Sequence, residues 1–274
     1  MTQLSQVKVA AIQMVSGTDF FQNLKDAELL IMQASNSGAK LVVLPEYFAI
    51  MGQTEKGKLA LAEPHGQGQL QSFLARMAKD HQVWIVGGSH AIKSSEENRP
   101  LSRCYVFNPE GKAVAWYDKI HLFDVTVDDN TKTYRESKHS QPGNLVSCVD
   151  TPFGQLGLSI CYDLRFPEQF RQMAELGMEI LAVPAAFTAT TGAAHWQVLL
   201  QARAIENQIY VIAAAQGGQH QNGRQTWGHS VIISPWGEIL AELGTGEGVL
   251  TAELDLKYLQ KIRREFPVLT HRRL

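Results

Sequence analysis

Cysteine is scarce in this chain: Cys104, Cys148 and Cys161 are the only three among 274 residues. An odd, sparse set cannot form a disulfide framework, so the expected setting is a reducing compartment, the cytoplasm. An excess of one charge is missing too. The 25 Lys and Arg residues against 27 Asp and Glu exclude the strongly basic footprint of a nucleic-acid binder and the highly charged composition of a disordered chain. No apolar run approaches the roughly 20 residues that span a bilayer, so no membrane contact is expected. The opening Met1-Thr2-Gln3-Leu4-Ser5-Gln6 lacks the basic start and long apolar stretch of a signal peptide. Among nine histidines there is no His-Glu-x-x-His pair, and no Cys-x-x-Cys exists. No metal site is expected.

What is present is alternation. β-branched apolar runs bounded by turn residues predict buried strands at 7–12, 41–44, 83–87, 156–160, 180–183 and 211–215. Helix-period stretches predict helices over 23–35, 70–81, 167–176 and 194–207. Strand–helix–strand order makes βαβ units, whose crossovers enforce parallel pairing. Two hairpins stand beside them, with turns at Asn108-Pro109-Glu110-Gly111 and Ser234-Pro235-Trp236-Gly237. In each, proline fixes φ and glycine closes the turn two residues later, which suits a type I turn. They recur 126 positions apart. Either the chain has two similar halves, each with its own mixed sheet, or Pro-x-Gly is merely a common turn. No Pro/Ser-rich linker divides the chain, so one domain over 1–274 is expected, with a core over about 6–255 and a C-terminal helix and basic tail over 256–274.

Several motif-like stretches fail on chemistry. Gly52-Gln53-Thr54-Glu55-Lys56-Gly57-Lys58-Leu59 nearly spells a phosphate-binding loop but ends in leucine, where the Mg²⁺-holding hydroxyl belongs. Gly157-Leu158-Ser159-Ile160-Cys161 lacks the final glycine of a serine nucleophile elbow. Cys161 itself is better placed, at the carboxyl end of a buried strand and before a helix that starts near Pro167. That is where α/β proteins put their ligands, although free cysteine is also among the most buried residue types. A nucleophilic thiol needs a base and an oxyanion donor. Leu41-Val42-Val43-Leu44-Pro45-Glu46 ends a strand in a carboxylate. Trp116-Tyr117-Asp118-Lys119-Ile120-His121-Leu122 sets a lysine among apolar neighbours, where its charge is expected to lower the thiol pKa.

Together, Leu44-Pro45-Glu46-Tyr47, Tyr117-Asp118-Lys119-Ile120-His121-Leu122 and Ile160-Cys161-Tyr162-Asp163-Leu164-Arg165-Phe166-Pro167-Glu168 resemble the Glu-Lys-Cys motifs of the nitrilase, or carbon–nitrogen hydrolase, superfamily. Order and spacing match, with Lys119 lying 73 positions after Glu46 and Cys161 a further 42 on. The resemblance runs from Val7 to the tail. It implies an α/β fold, a four-layer α-β-β-α sandwich of two mixed sheets with internal pseudo-symmetry, usually paired as a homodimer or higher oligomer. It implies Glu46 as general base, Lys119 as oxyanion-stabilising cation, Cys161 as nucleophile and Glu136 as a second glutamate beside the lysine. The Tyr162 backbone N–H would complete the oxyanion hole, and no metal or organic cofactor is required.

The stretches Pro184-Ala185-Ala186-Phe187-Thr188 and Gln201-Ala202-Arg203-Ala204-Ile205-Glu206-Asn207-Gln208 resemble the Nit-type amidases. Ala213-Ala214-Ala215-Gln216 and Phe266-Pro267-Val268-Leu269-Thr270-His271-Arg272-Arg273 look most like the deaminated-glutathione amidases, which release 2-oxoglutarate and cysteinylglycine. The ω-amidases of 2-oxoglutaramate are the neighbouring branch. Nitrile or N-carbamoyl hydrolysis uses the same three residues, and a non-catalytic scaffold is the reading from another class. The expected substrate is a small anionic amide. Arg165 either clamps its carboxylate or pairs with Asp163 or Glu168. Phe187 and Thr188 are expected to line the pocket, Arg203 and Glu206 to pair along or across a helix, and His195 and Trp196 to begin a helix and pack. The basic tail either crosses a subunit interface or lies in solvent.

Overall fold

The computed structural model describes residues 5–52, 59–129 and 131–273; most of the phosphate-loop-like stretch and the first four residues lie outside them. The first half strings β1 (Gln6–Gln13), α1 (Phe20–Asn36), β2 (Leu41–Val43), α2 (Gln69–His81) and β3 (Trp84–Val86) into two βαβ units. β4 (His90–Ile92), β5 (Leu101–Phe107) and β6 (Ala113–Asp118) follow, then a small hairpin of β7 (Asp124–Thr126) and β8 (Thr133–Arg135). The second half repeats the scheme with β9 (Ser147–Thr151), β10 (Gly154–Leu158), α3 (Pro167–Glu175), β11 (Ile180–Ala185), α4 (Ala189–Asn207) and β12 (Tyr210–Ala215). A second small hairpin, β13 (Gly217–Gln219) and β14 (Gln225–Trp227), precedes β15 (Val231–Ile233) and β16 (Ile239–Glu242). β17 (Gly248–Asp255) returns to the first sheet and α5 (Leu256–Glu265) follows it.

The first sheet runs β17-β1-β2-β3-β5-β4, with β6 also on β5; the second runs β16-β15-β12-β11-β10-β9. In each, three central strands are parallel, β1–β2–β3 and β10–β11–β12, and antiparallel strands flank them. Period-two alternation explains why the central runs are apolar throughout. Val9, Ala11, Leu41, Val43, Cys104 and Val106 face the second sheet, sharing one core with Leu156, Leu158 and Ile180. Their neighbours Ala10, Ile12, Val42, Leu44, Tyr105 and Phe107 face outward onto α1 and α2, against Leu24, Ile31, Phe73 and Met77. α3 and α4 cover the outer face of the second sheet through Phe170, Trp196 and Leu200. The result is four layers, helix–sheet–sheet–helix, as the resemblance implied.

The halves repeat in detail. In the two long hairpins Gly111 N–H donates to Asn108 O at 2.8 Å and Gly237 N–H to Ser234 O at 2.9 Å. Gly111 and Gly237 have φ of 76° and 86°, the left-handed turn-closing state glycine tolerates best. The helices before them, α2 and α4, both end on a left-handed glutamine, Gln82 and Gln208. The shared turns are therefore marks of an internal duplication and not a coincidence of composition.

One expectation needs correction. α4 starts at Ala189, five residues before the 3.6-residue apolar pattern becomes visible, because Thr188 caps it by accepting from Thr191 N–H. The tail is partly tied to its own chain: Arg272 pairs with Glu175 at 2.9 Å, and Arg263 donates to the carbonyls of Met178 and Gln208, while Arg264, Arg272 and Arg273 stay exposed. Among the described residues no helix is long and apolar enough to cross a membrane.

Candidate active site

Four chain segments end at one place. Glu46 follows β2 and Cys161 follows β10, each at the carboxyl end of a parallel strand. Lys119 is the first residue after β6, its N–H donating to Ser102 O at 2.9 Å, and Glu136 opens the short 3₁₀ turn after β8. Lys119 and Glu46 are almost wholly buried, each side chain 2% exposed. Lys119 Nζ stands 2.9 Å from Glu46 Oε1, and 3.0 and 2.9 Å from the two oxygens of Glu136. Glu136 Oε2 also accepts from the Phe123 N–H at 2.7 Å, and the Tyr47 hydroxyl faces its other oxygen.

The electrostatics follow from this burial. Desolvation alone would push the Lys119 ammonium down, yet Glu136 and Glu46 outweigh it and hold the group well above its ordinary value. Cys161 goes the opposite way to the expectation. Burial and the Glu46 charge push the thiol well up, and Lys119 with the Ala186 N–H only partly offsets them. The lysine's charge is already committed to two carboxylates, so it cannot also generate a resting thiolate. The thiol is held protonated, with Glu46 as its hydrogen-bond partner. Cys161 also has φ of 49°, a left-handed conformation that costs an L-residue roughly 1–2 kcal/mol and must be held by its surroundings.

What holds it is Asp163, which the motif reading left as a possible partner of Arg165. Asp163 is fully buried and faces four donors instead. The Ile160 N–H donates to it at 2.8 Å and the Tyr117 hydroxyl at 2.8 Å; the His121 N–H lies at 3.0 Å and His121 Nδ1 at 2.8 Å. The Ile160 contact precedes the nucleophile candidate, and the other three belong to the Lys119 strand end. One carboxylate thus ties the two chemical segments together, and the His121 ring stacks on Phe166 at 3.7 Å. The alternating Tyr117, Lys119 and His121 were the available signal, since such spacing puts all three on one face of a strand end.

These groups open onto a cavity of about 500 Å³, and Tyr162, Arg165, Phe187 and Thr188 line it as expected. Arg165 pairs with neither Asp163 nor Glu168. It donates to His195 Nδ1 at 3.1 Å and lies over the rings of Phe187 and Tyr162 at 5.2 and 5.8 Å. Trp196 does pack, buried against Phe187 at 4.8 Å, while His195 is the Arg165 partner. Arg203 and Glu206 form the intrahelical pair at 2.8 Å. Sequence reading missed Tyr47 and Arg224, which also line the cavity.

A family model described as carbon-nitrogen hydrolase matches residues 8–264. A deaminated glutathione amidase of Synechocystis sp. is 46% identical over 96% of this chain and 97% of its own length. The deaminated glutathione amidase of Homo sapiens is 42% identical over 97% of this chain and 82% of its own. Among solved structures, Saccharomyces cerevisiae Nit3, a member of branch 10 of the nitrilase superfamily, superposes with a TM-score of 0.87 at 30% identity, covering 97% of this chain and 96% of that one.

Proposed function

Because the chain belongs to the carbon–nitrogen hydrolase family, we propose that it is an amidase that cleaves deaminated glutathione to 2-oxoglutarate and cysteinylglycine. The observation that carries this is the buried Glu46–Lys119–Glu136 cluster beside the Cys161 thiol, opening onto one cavity. The substrate comes from the name shared by full-length relatives at 42–46% identity.

Cys161 Sγ attacks the amide carbon as Glu46 takes the thiol proton; the raised thiol pKa makes the two events one coupled step. The carbonyl oxygen becomes an oxyanion held by Lys119 Nζ and the Tyr162 N–H, each such donor being worth about 2.7–4 kcal/mol of barrier. Glu46 hands its proton to the cysteinylglycine nitrogen as the C–N bond breaks, leaving a thioester on Cys161. It then deprotonates water, which attacks the thioester and releases 2-oxoglutarate and the thiol. Glu136 keeps the Lys119 ammonium fixed and charged throughout. Arg165, without a carboxylate partner among the described residues, takes the carboxylate of the 2-oxo acid, with Phe187 and Thr188 shaping that wall.

A catalytic thiol needs a reducing setting, which supports the cytoplasm; all three cysteines are free. The same reading carries a single domain and a homodimer, supported by Val198, Ile205, Trp236 and Phe266, apolar yet more than half exposed on the α4 and C-terminal side.

Purified protein with deaminated glutathione is expected to yield equal amounts of 2-oxoglutarate and cysteinylglycine. Acid quench is expected to trap a 2-oxoglutaryl mass on the peptide holding Cys161. Faster turnover of 2-oxoglutaramate would move the enzyme to the ω-amidase branch, and turnover surviving in Cys161→Ala would overturn the mechanism.

A further inference from the structure

The cavity carries more positive charge than the chemistry uses. Among its described lining residues stand two carboxylates, Glu46 and Glu136, against five cations, Lys119, Arg135, Lys138, Arg165 and Arg224. Lys119 is spent on both glutamates, and Arg135 and Lys138 are exposed to solvent. Arg165 and Arg224 are the two half-buried guanidinium groups for which no carboxylate partner stands among the described residues. Burying part of a guanidinium without an anion is costly, so each is a place where an anion would be bound.

Arg224 is held in place before any ligand arrives. It sits at the tip of the β13–β14 hairpin, where Asn222 accepts its N–H at 3.0 Å and donates to Gly52 O at 3.0 Å. His220 carries the other side of the tip, with Nδ1 2.9 Å from Ser16 O and Nε2 2.7 Å from the Thr226 hydroxyl. The guanidinium lies over the Tyr134 ring at 5.4 Å and reaches the Met51 sulfur at 3.8 Å, and its Nε is buried with no hydrogen-bond partner among the described residues. Its charge is felt at Tyr47, the residue after Glu46.

That position decides which end of a substrate it meets. Arg165 belongs to the Cys161 turn, on the side of the acyl group that stays on sulfur. Glu46 must reach the departing nitrogen, so the leaving group lies on the Glu46 and Tyr47 side. Resting on the substrate reading above, we propose that Arg224 binds the C-terminal carboxylate of the leaving group. The amidase is thereby selective for amides whose amine half is itself an anion, such as a dipeptide. The guanidinium fork matches a carboxylate in a bidentate pair, and its fixed base means little ordering cost on binding.

The test compares deaminated glutathione with its glycine-carboxamide, which differs only in the charge at issue, in the full-length enzyme and in Arg224→Gln and Arg224→Lys. The native enzyme is expected to favour the acid by about 10-fold to 100-fold in kcat/KM, the range for a hydrogen bond to a charged group. Arg224→Gln should bring that ratio near one, and Arg224→Lys should restore part of it. Titration of both ligands into Cys161→Ala, with and without Arg224→Gln, reads the same difference as affinity, independent of turnover. If the native enzyme releases no cysteinylglycine but Cys161→Ala binds the acid over the amide through Arg224, the substrate reading fails and the anion site stands. An acid-to-amide ratio that Arg224→Gln leaves unchanged overturns the anion site alone. Absence of binding by either ligand overturns both.

Discussion

The two halves of the molecule share strands, helices and turns but not chemistry. Strand registers align them: Leu41 pairs with Val9 and Trp84, and Ile180 with Leu156 and Tyr210. Val9 therefore corresponds to Leu156, and Leu41 to Ile180. Counting five residues on from each, Cys161 of the second half corresponds to Met14 of the first, and Glu46 of the first to Ala185 of the second. Each half keeps one reactive group at a strand end and fills the twin position with a fully buried apolar side chain. Lys119 and Glu136 come from the segment that joins the halves and belong to neither repeat. Duplication supplies a stiff frame with two pairs of equivalent strand ends, and the active site arises where the equivalence within each pair is broken.

The strongest way to break the comparison is to exchange roles between twin positions. Cys161→Ala and Glu46→Gln are each expected to lower kcat by about 10³-fold or more, since groups that act as one unit fail together. Met14→Leu, at the twin of Cys161, is a volume-conserving change expected to cost under about 1.5 kcal/mol of stability and to leave kcat per folded molecule close to native. Steady-state kinetics with parallel urea denaturation check both. A kcat loss in Met14→Leu as deep as that of Cys161→Ala would mean the twin positions are not functionally distinct.

A second asymmetry concerns acid. His90 lies 126 residues before Gln216, its counterpart in the second half. Burial, with Arg103 nearby, pushes His90 down to about 3, so the native state keeps it neutral. The unfolded chain protonates near its ordinary value of 6.5. Below that pH the unfolded state binds a proton the native state refuses, and stability falls with pH at up to about 1.4 kcal/mol per unit. Roughly 3 kcal/mol should disappear by about pH 4. His90→Gln, which copies the second half, should abolish that part of the loss. Urea denaturation of both proteins at neutral and acid pH reads it, and equal acid sensitivity in the two would refute the assignment.

These comparisons also show what a sequence can disclose. Glu46, Lys119 and Cys161 stood out because each ends an apolar strand-like run, where a polar group is conspicuous. The duplication was legible because a Pro-x-Gly turn needs particular residues at fixed offsets. Asp163 was not, because a carboxylate in a loop does not say which of several distant donors it will meet; its partners at Tyr117 and His121 lie more than forty residues away. The start of α4 was hidden because Ala189-Thr190-Thr191-Gly192-Ala193 offers no apolar stripe. The thiol's direction was misjudged because the lysine was counted once as a cation, whereas two carboxylates had already claimed it. Arg224 carried no signal at all: a charge without a carboxylate partner among the described residues is recognisable only once the chain around it has been placed.

The smallest expected effect sharpens the comparison most, because it involves identical residues in identical turns. Gly111 and Gly237 both close a long hairpin with positive φ, 76° and 86°. Replacing either by alanine incurs the left-handed penalty of roughly 1–2 kcal/mol. Their surroundings differ. A Cβ on Gly111 would stand 2.7 Å from the Ala75 carbonyl oxygen, a backbone atom of α2, whereas on Gly237 it would meet the end of the Ile205 side chain at 2.6 Å. Backbone in a packed helix cannot yield, but an isoleucine that is half exposed can change rotamer. Gly237→Ala should therefore lose about 1–2 kcal/mol. Gly111→Ala should lose about 1–3 kcal/mol more, the range for forcing extra atoms into a packed site. Equal losses in urea denaturation would mean that the turn alone sets the cost, and that the halves differ only in the groups they carry at their strand ends.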